Sequence, residues 1–95
     1  MVTFTVRMKF AMEDHDEVER VLRALTAETR KEPGCVSYIC HFVDGDAETV
    51  FIYEQYRDQA AVEAHRQSPH FEKYAVGGLY QMMKLREIEN LAAVS

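Results

Sequence analysis

Residues 49–74 read TVFIYEQYRDQAAVEAHRQSPHFEKY, and the other predicted elements are arranged around this stretch. It begins with the β-branched and aromatic run Val50 to Tyr53, which favours a strand. Asp58 follows, where a carboxylate can accept hydrogen bonds from free backbone N–H groups and begin a helix. Ser68 and Pro69 end that helix and begin another, because proline cannot continue the first but suits the first turn of the second. The stretch therefore predicts a strand followed by two short helices.

Two polar residues in this stretch lie where apolar ones are expected. Glu54 has the strand parity of Ile52 and Tyr56, so its carboxylate belongs to an apolar row and needs a partner or a chemical role. A salt bridge at the strand end explains it about as well as a site does. His65 lies on a helix surface made of small apolar residues. It is either a satisfied, partly buried histidine or a base near pH 7 in a dry pocket.

The chain before this stretch predicts a strand, a helix and a second strand. Residues 2–10 alternate apolar and polar side chains, which indicates a strand with one apolar face. Acidic residues at 13–17 and basic residues at 30–31 then complement the dipole of a helix, which should end at Glu32-Pro33-Gly34. The second strand, Cys35 to Val43, is apolar on both faces. A turn-rich loop at 44–48 predicts a hairpin with the third strand.

The chain after this stretch predicts a last strand. Gly77 and Gly78 are expected to end the second short helix, and Tyr80 to Leu91 to form the strand. Residues 92–95 are expected to be a frayed tail. The order β-α-β-β-α-α-β predicts a single α+β domain over residues 1–95, with a ferredoxin-like split antiparallel sheet and helices on one face. An uncovered apolar sheet face would need a second subunit, so we expect a homodimer.

Composition excludes several classes of partner. The chain has 11 basic and 16 acidic residues, a net charge of −5, which argues against nucleic acid. No apolar run approaches the roughly 20 residues of a membrane span, and the first ten residues do not resemble a signal peptide. Cys35 and Cys40 lie roughly 16 Å apart in an extended strand, too far for a disulfide. Two free thiols predict a cytoplasmic protein.

No cofactor or metal is predicted. The chain has four glycines and no glycine-rich phosphate loop, and its histidines and cysteines lack zinc-binding spacing. An iron site of two histidines and one carboxylate is conceivable from His65, His70 and Glu54. Pro69 interrupts the helix between the two histidines, so their relative direction is not fixed by the sequence, and a structural role for them is the favoured interpretation.

An aromatic group surrounds the two polar candidates. Its members are Tyr53, Tyr56, Phe71, Tyr74 and Tyr80. Phe71 alone is readily explained as core, but each buried tyrosine hydroxyl requires a partner. Several tyrosines together with a histidine and a glutamate suit a pocket for a flat, hydroxylated ring.

Three motifs resemble the antibiotic biosynthesis monooxygenase family, and in particular its quinol monooxygenase-like members. They are Glu32-Pro-Gly-Cys-Val-Ser-Tyr38, Tyr53-Glu-Gln-Tyr56 and Ala64-His-Arg-Gln-Ser-Pro-His-Phe71. The resemblance implies a dimeric α+β barrel that oxidises small electron-rich phenols with O2 and without metal, haem or flavin. The family's strand motif commonly ends in Trp, where this chain has Tyr56. Haem-degrading relatives carry Asn, Trp and His at places that resemble Val6, His65 and Ala75, which argues against haem degradation.

The resemblance and the residues together give one site hypothesis. His65 is the expected base or phenolate partner, and Glu54 is expected to orient the substrate. Tyr56, Tyr74, Phe71 and Tyr53 are the expected substrate-binding residues. Two alternatives remain open, because a fold does not fix a function. One is isomerisation of a small hydroxy-ketone, and the other is binding of a small molecule without catalysis.

Overall fold

The computed structural model describes all 95 residues, and its elements follow the predicted order. They are β1 (Val2–Lys9), α1 (His15–Thr29), β2 (Cys35–Val43), β3 (Asp46–Tyr56), α2 (Gln59–Arg66), α3 (Phe71–Leu79) and β4 (Leu85–Leu91). A 3₁₀ turn, Met12–Asp14, precedes α1, and one helical turn, Tyr80–Met82, continues α3. None of these helices combines the length and apolar character needed to cross a lipid bilayer.

The four strands form one antiparallel sheet in the order β2-β3-β1-β4. This is the predicted ferredoxin-like split arrangement. In the register, Val6 lies between Ile52 of β3 and Ile88 of β4. Strand alternation then places Phe4 and Met8 on the face that Val6 occupies. The helices cover this face, and the main core lies between the two layers.

The other sheet face carries no helix, and we call it the open face. Tyr53 lies there between Ile39 of β2 and Thr5 of β1. Ile39, Leu85 and Leu91 expose 43%, 42% and 45% of their surface, so this face includes large apolar side chains in contact with solvent. In the single chain, such side chains lack the burial that makes apolar residues stabilising.

Local hydrogen bonds explain the boundaries of the two short helices. The Asp58 carboxylate accepts from the Ala61 backbone N–H at 2.9 Å, which confirms it as the residue that begins α2. The Ser68 hydroxyl donates to the His65 carbonyl at 2.7 Å and accepts from the Phe71 N–H at 3.2 Å. One serine therefore satisfies groups at the end of α2 and at the start of α3.

The structure corrects the sequence prediction after α3. Gly77 and Gly78 do not end a helix but lie inside α3, which has π-helical hydrogen bonding. A Cβ on Gly78 would be 3.2 Å from a methyl carbon of Val21, so the glycine lets α3 approach α1 closely. Tyr80–Met82 is consequently helical, and the last strand begins at Leu85 rather than at Tyr80. Packing between helices has overridden the local tendency of glycine to end a helix.

Candidate active site

His65 and Glu54 lie side by side between the sheet and the helices. His65 is near the end of α2 and Glu54 is near the end of β3, and they expose 3% and 5% of their surface. The Nε2 atom of His65 is 3.8 Å from Oε1 of Glu54. The structure therefore brings together the two residues that the sequence selected as candidates, in a place nearly closed to bulk water.

Tyr56 orients the Glu54 carboxyl group through a hydrogen bond. Residues two apart on a strand share a face, and the Tyr56 hydroxyl donates to Oε1 of Glu54 at 2.6 Å. Burial raises the pKa of Glu54 to about 7, although the Tyr56 hydrogen bond and the guanidinium groups of Arg66 and Arg86 oppose that rise. Burial, reinforced by the charge of Glu54, raises the pKa of Tyr56. Tyr56 thus remains a proton donor, while Glu54 can gain or lose a proton near neutral pH.

Glu32 is a site residue that the sequence analysis missed. It lies in the loop between α1 and β2, and its Oε2 is 2.8 Å from Nδ1 of His65 and 2.5 Å from Nε2 of His70. Because a carboxylate accepts hydrogen bonds, Nδ1 of His65 carries a proton and Nε2 is left as the basic atom. Glu32 therefore fixes the ring orientation and the tautomer of His65.

The absence of a side chain at Gly34 lets that loop pack closely against α2. A Cβ on Gly34 would be 2.3 Å from the Cβ of Ala61, so any larger residue would push the loop off the helix. The Gly34 carbonyl also accepts from the Arg57 N–H at 2.9 Å. The signal for Glu32 in the sequence was its place before Pro33-Gly34, which was interpreted as the end of a helix and as part of a family motif, but not as part of the site.

The electrostatics of His65 favour a neutral imidazole. Burial lowers the pKa of His65, and the hydrogen bond that His65 donates to Glu32 only partly opposes this effect. A neutral ring with a proton on Nδ1 presents a lone pair at Nε2. That atom faces Glu54 and can accept a proton from a bound molecule.

A narrow cavity opens beside this pair, and we call it the sheet–helix cavity. Its walls include Phe4, Tyr38, Phe71, Leu79 and Tyr80, and its ionisable lining residues are Glu54, His65, Arg66 and Arg86. The space open to water-sized molecules is about 30 Å³. A larger, open groove of about 410 Å³ lies between α1 and β2, but it contains neither His65 nor Glu54. The buried pair of Glu54 and His65 makes the smaller cavity the candidate for chemistry.

The predicted substrate-binding residues fall in four different places. Phe71 lines the cavity, with its ring edge-on to His65 at 5.1 Å between centroids. Tyr56 is completely buried behind Glu54. Tyr53 lies on the open face, because strand neighbours of Glu54 point the opposite way. Tyr74 lies outside the cavity near Gly77.

The position of Tyr74 follows from the geometry of α3. The residues of α3 that line the cavity are Phe71, Ala75 and Leu79, spaced four apart, as the wide turns of a π-helix allow. Tyr74 is three residues after Phe71 and is rotated away from the cavity, so neither Tyr74 nor Tyr53 is among the residues that line it. Tyr38 and Tyr80 occupy the cavity wall in their place.

The only grouping of potential metal donors is Glu32, His65 and His70, whose ligand atoms lie within 4.8 Å of one another. The sequence had suggested Glu54 as the carboxylate of such a set, but in the structure the carboxylate is that of Glu32. Two histidines and a carboxylate are donors that divalent metals accept. Here both histidines contact the same Glu32 oxygen, so hydrogen bonds alone satisfy the three groups.

Comparisons with known proteins agree on one family. The family described as antibiotic biosynthesis monooxygenase matches residues 1–76. The chain is 37% identical over 54 residues to the Mycobacterium tuberculosis protein "Putative monooxygenase Rv0793", a match that covers 57% of this chain and 52%, about half, of that relative.

Solved structures extend the likeness over the whole chain. PA3566 from Pseudomonas aeruginosa is 31% identical with a TM-score of 0.89, covering 99% of this chain and 94% of that one. A structure described as an antibiotic biosynthesis monooxygenase has a TM-score of 0.93 over 100% of both chains. At 23% identity, this second likeness concerns the fold alone.

Proposed function

The chain belongs to the antibiotic biosynthesis monooxygenase family, whose match covers residues 1–76, and from this premise we propose that it is a cofactor-independent monooxygenase. The family and the name of the mycobacterial relative support a monooxygenase-type function. The proposed substrates are O2 and a small electron-rich phenol of the hydroquinone type. The observation that carries this proposal is the free Nε2 of buried His65, placed beside Glu54 in a cavity walled by aromatic rings.

The proposed chemistry uses the substrate as the reductant. Nε2 of His65 takes a phenolic proton, and the resulting phenolate passes an electron to O2 and then recombines with it. Loss of water gives a hydroxylated quinone, so hydroquinone and O2 yield hydroxyquinone and H2O. The protein holds the anion, excludes water and supplies proton acceptors. Glu32 orients His65, Tyr56 orients Glu54, and Glu54 holds the second hydroxyl group.

Oxygen labelling separates this proposal from its alternatives. Incubation with a hydroquinone panel under ¹⁸O2 should consume oxygen and place one ¹⁸O atom in each product molecule. An isomerase would change its substrate without oxygen uptake, and a binding protein would shift its melting temperature without forming a product. Either result for the whole panel would contradict the proposal.

We expect catalysis to need no metal. Oxygen consumption should persist after treatment with a chelator, and elemental analysis should find no stoichiometric metal. His70→Ala is the sharp test, because it removes one of the three donors but keeps the contact between His65 and Glu32. A stoichiometric metal that disappears in His70→Ala together with the activity would show that the cluster is a metal site.

We also propose that the chain forms a homodimer through its open face. Ile39, Leu85 and Leu91 are exposed there, and a second copy would bury them. Light scattering should give twice the chain mass of 11.0 kDa. Ile39→Lys should dissociate the dimer, whereas Met12→Lys, at an exposed apolar residue in the turn before α1, should not. A mass of one chain at micromolar concentration would contradict this assembly.

The proposed location is the cytoplasm. Cys35 and Cys40 are both free thiols, which suits a reducing compartment. Burial raises the pKa of the Cys40 thiol to about 11, so this thiol is protonated and unreactive at neutral pH.

A further inference from the structure

Two arginines from different elements meet at the sheet–helix cavity. Arg66 is the last residue of α2, and its guanidinium carbon is 5.8 Å from the centre of the Phe4 ring. Arg86 is on β4 opposite Met8, which places it on the helix-covered side of the sheet. Its guanidinium carbon is 5.2 Å from the centre of the Tyr80 ring. Both arginines line the cavity that contains Glu54 and His65.

Both arginines are exposed, and their charges act on Glu54 without a direct contact. Several other arginines have direct partners: Arg20 and Arg23 pair with glutamates one helical turn away, and Arg30 donates twice to the Tyr38 carbonyl. Arg66 and Arg86 make no ion pair and no hydrogen bond in the structure, although the chain has an excess of acidic residues. Their N–H groups are thus available to a bound molecule.

The surroundings of these arginines suit a planar anion attached to a ring. Aromatic faces support the guanidinium groups and favour flat stacking. A guanidinium fork matches the two oxygens of a carboxylate, and such charge-assisted bonds are the strong ones. Glu54 lies in the same cavity, so a substrate that brings a second negative charge requires compensation from nearby cations.

We propose that Arg66 and Arg86 bind the carboxylate of the substrate, so that the enzyme prefers hydroxylated benzoate-type acids to neutral phenols. This inference rests on the proposed function and names the substrate class of the same site. The two arginines hold the acid group at the cavity mouth, and the ring extends inward toward His65. The neutral wall of Phe71 and Tyr80 contacts the ring faces and gives no preference for charge.

The test compares two probes that differ only in charge, 2,5-dihydroxybenzoate and 2,5-dihydroxybenzamide. Oxygen consumption is measured for the unmodified protein, Arg66→Gln, Arg86→Gln and the double variant. Arg23→Gln is the matched control, since Arg23 is exposed on α1 and does not line the cavity. Each cavity variant should raise KM for the acid by about 10-fold or more, because a hydrogen bond to a charged group is lost. KM for the amide should change little, and high salt should weaken the binding of the acid but not that of the amide.

Equal KM values for acid and amide, or a preference for the acid that survives in the double variant, would overturn the inference. The binding of both probes is also measured by calorimetry, because binding can be detected whether or not catalysis occurs. Arginine-dependent binding of the acid without any oxygen consumption would support the inference and contradict the monooxygenase proposal. Oxygen consumption with both probes that does not depend on the arginines would support the monooxygenase proposal and contradict the inference about the arginines.

Discussion

His65→Ala is expected to lower turnover of the best phenolic substrate by about 10²–10⁴-fold, the usual contribution of a general base. The structural reason is that Nε2 of His65 is a basic atom of the cavity, and its orientation is fixed through the hydrogen bond between Nδ1 and Glu32. Removing the ring also leaves a void and should cost roughly 1–3 kcal/mol of stability. Turnover must therefore be expressed per folded molecule, with oxygen consumption and melting temperature measured on the same sample.

The matched control for His65→Ala is Val62→Ala. Val62 is buried on α2 three residues before His65, and its truncation makes a void without touching the proposed chemistry. It should lower the melting temperature while leaving turnover per folded molecule unchanged. Added imidazole should restore part of the activity of His65→Ala but not alter Val62→Ala. If both variants lose stability and keep full activity, His65 has no part in the reaction.

Glu54→Gln is expected to change how stability depends on pH. The folded pKa of Glu54, about 7, is above its ordinary value of 4.5, so the folded protein binds this proton more tightly than the unfolded chain does. The resulting stabilisation is fully present below pH 4.5 and is lost as the pH rises through 7. A shift of this size corresponds to about 3 kcal/mol. Between pH 4 and pH 8, the unmodified protein should therefore lose about this much more unfolding free energy than Glu54→Gln.

Urea denaturation at a series of pH values measures this difference. Glu63→Gln on the exposed side of α2 is the control, and its stability should follow the unmodified protein at every pH. In turnover, Glu54→Gln should remove an inflection near pH 7 if the carboxyl group holds the substrate. Parallel stability curves for Glu54→Gln and the unmodified protein would show that the proton is not taken up at Glu54.

The elements of the fold were predictable because their signals are local. Alternation along β1, the apolar stripe of α1 and the helix start at Asp58 each lie within a few residues. Alternation along β3 likewise predicted that Glu54 lies on the same sheet face as the buried residues Ile52 and Tyr56. Glu32 was not predictable in this way, since it precedes His65 by 33 residues and reaches it only because the loop at Gly34 packs against Ala61.

The errors around α3 have a single physical origin. Helix prediction assumes 3.6 residues per turn and treats a glycine pair as an end, but α3 is wound more widely and continues through both glycines. Within α3, Gly78 packs against Val21 of α1, and a contact between residues so distant in sequence leaves no local signal. Residues 80–82 were therefore assigned to the wrong kind of element, and Tyr74 was grouped with the site from its place in the sequence, without reference to a helix face.

The sheet–helix cavity, at about 30 Å³, has room for about one water molecule, whereas pockets for small molecules are typically about 300 Å³ or larger. A ring can enter only when the walls of the cavity stand further apart. Binding then draws on a minor open population, and the apparent dissociation constant equals the intrinsic one divided by that fraction. An open fraction of about 1% would weaken apparent affinity about 100-fold. Substitutions at residues that never touch the substrate, such as Gly78 against Val21, are therefore expected to change its apparent affinity by changing how often the cavity is open.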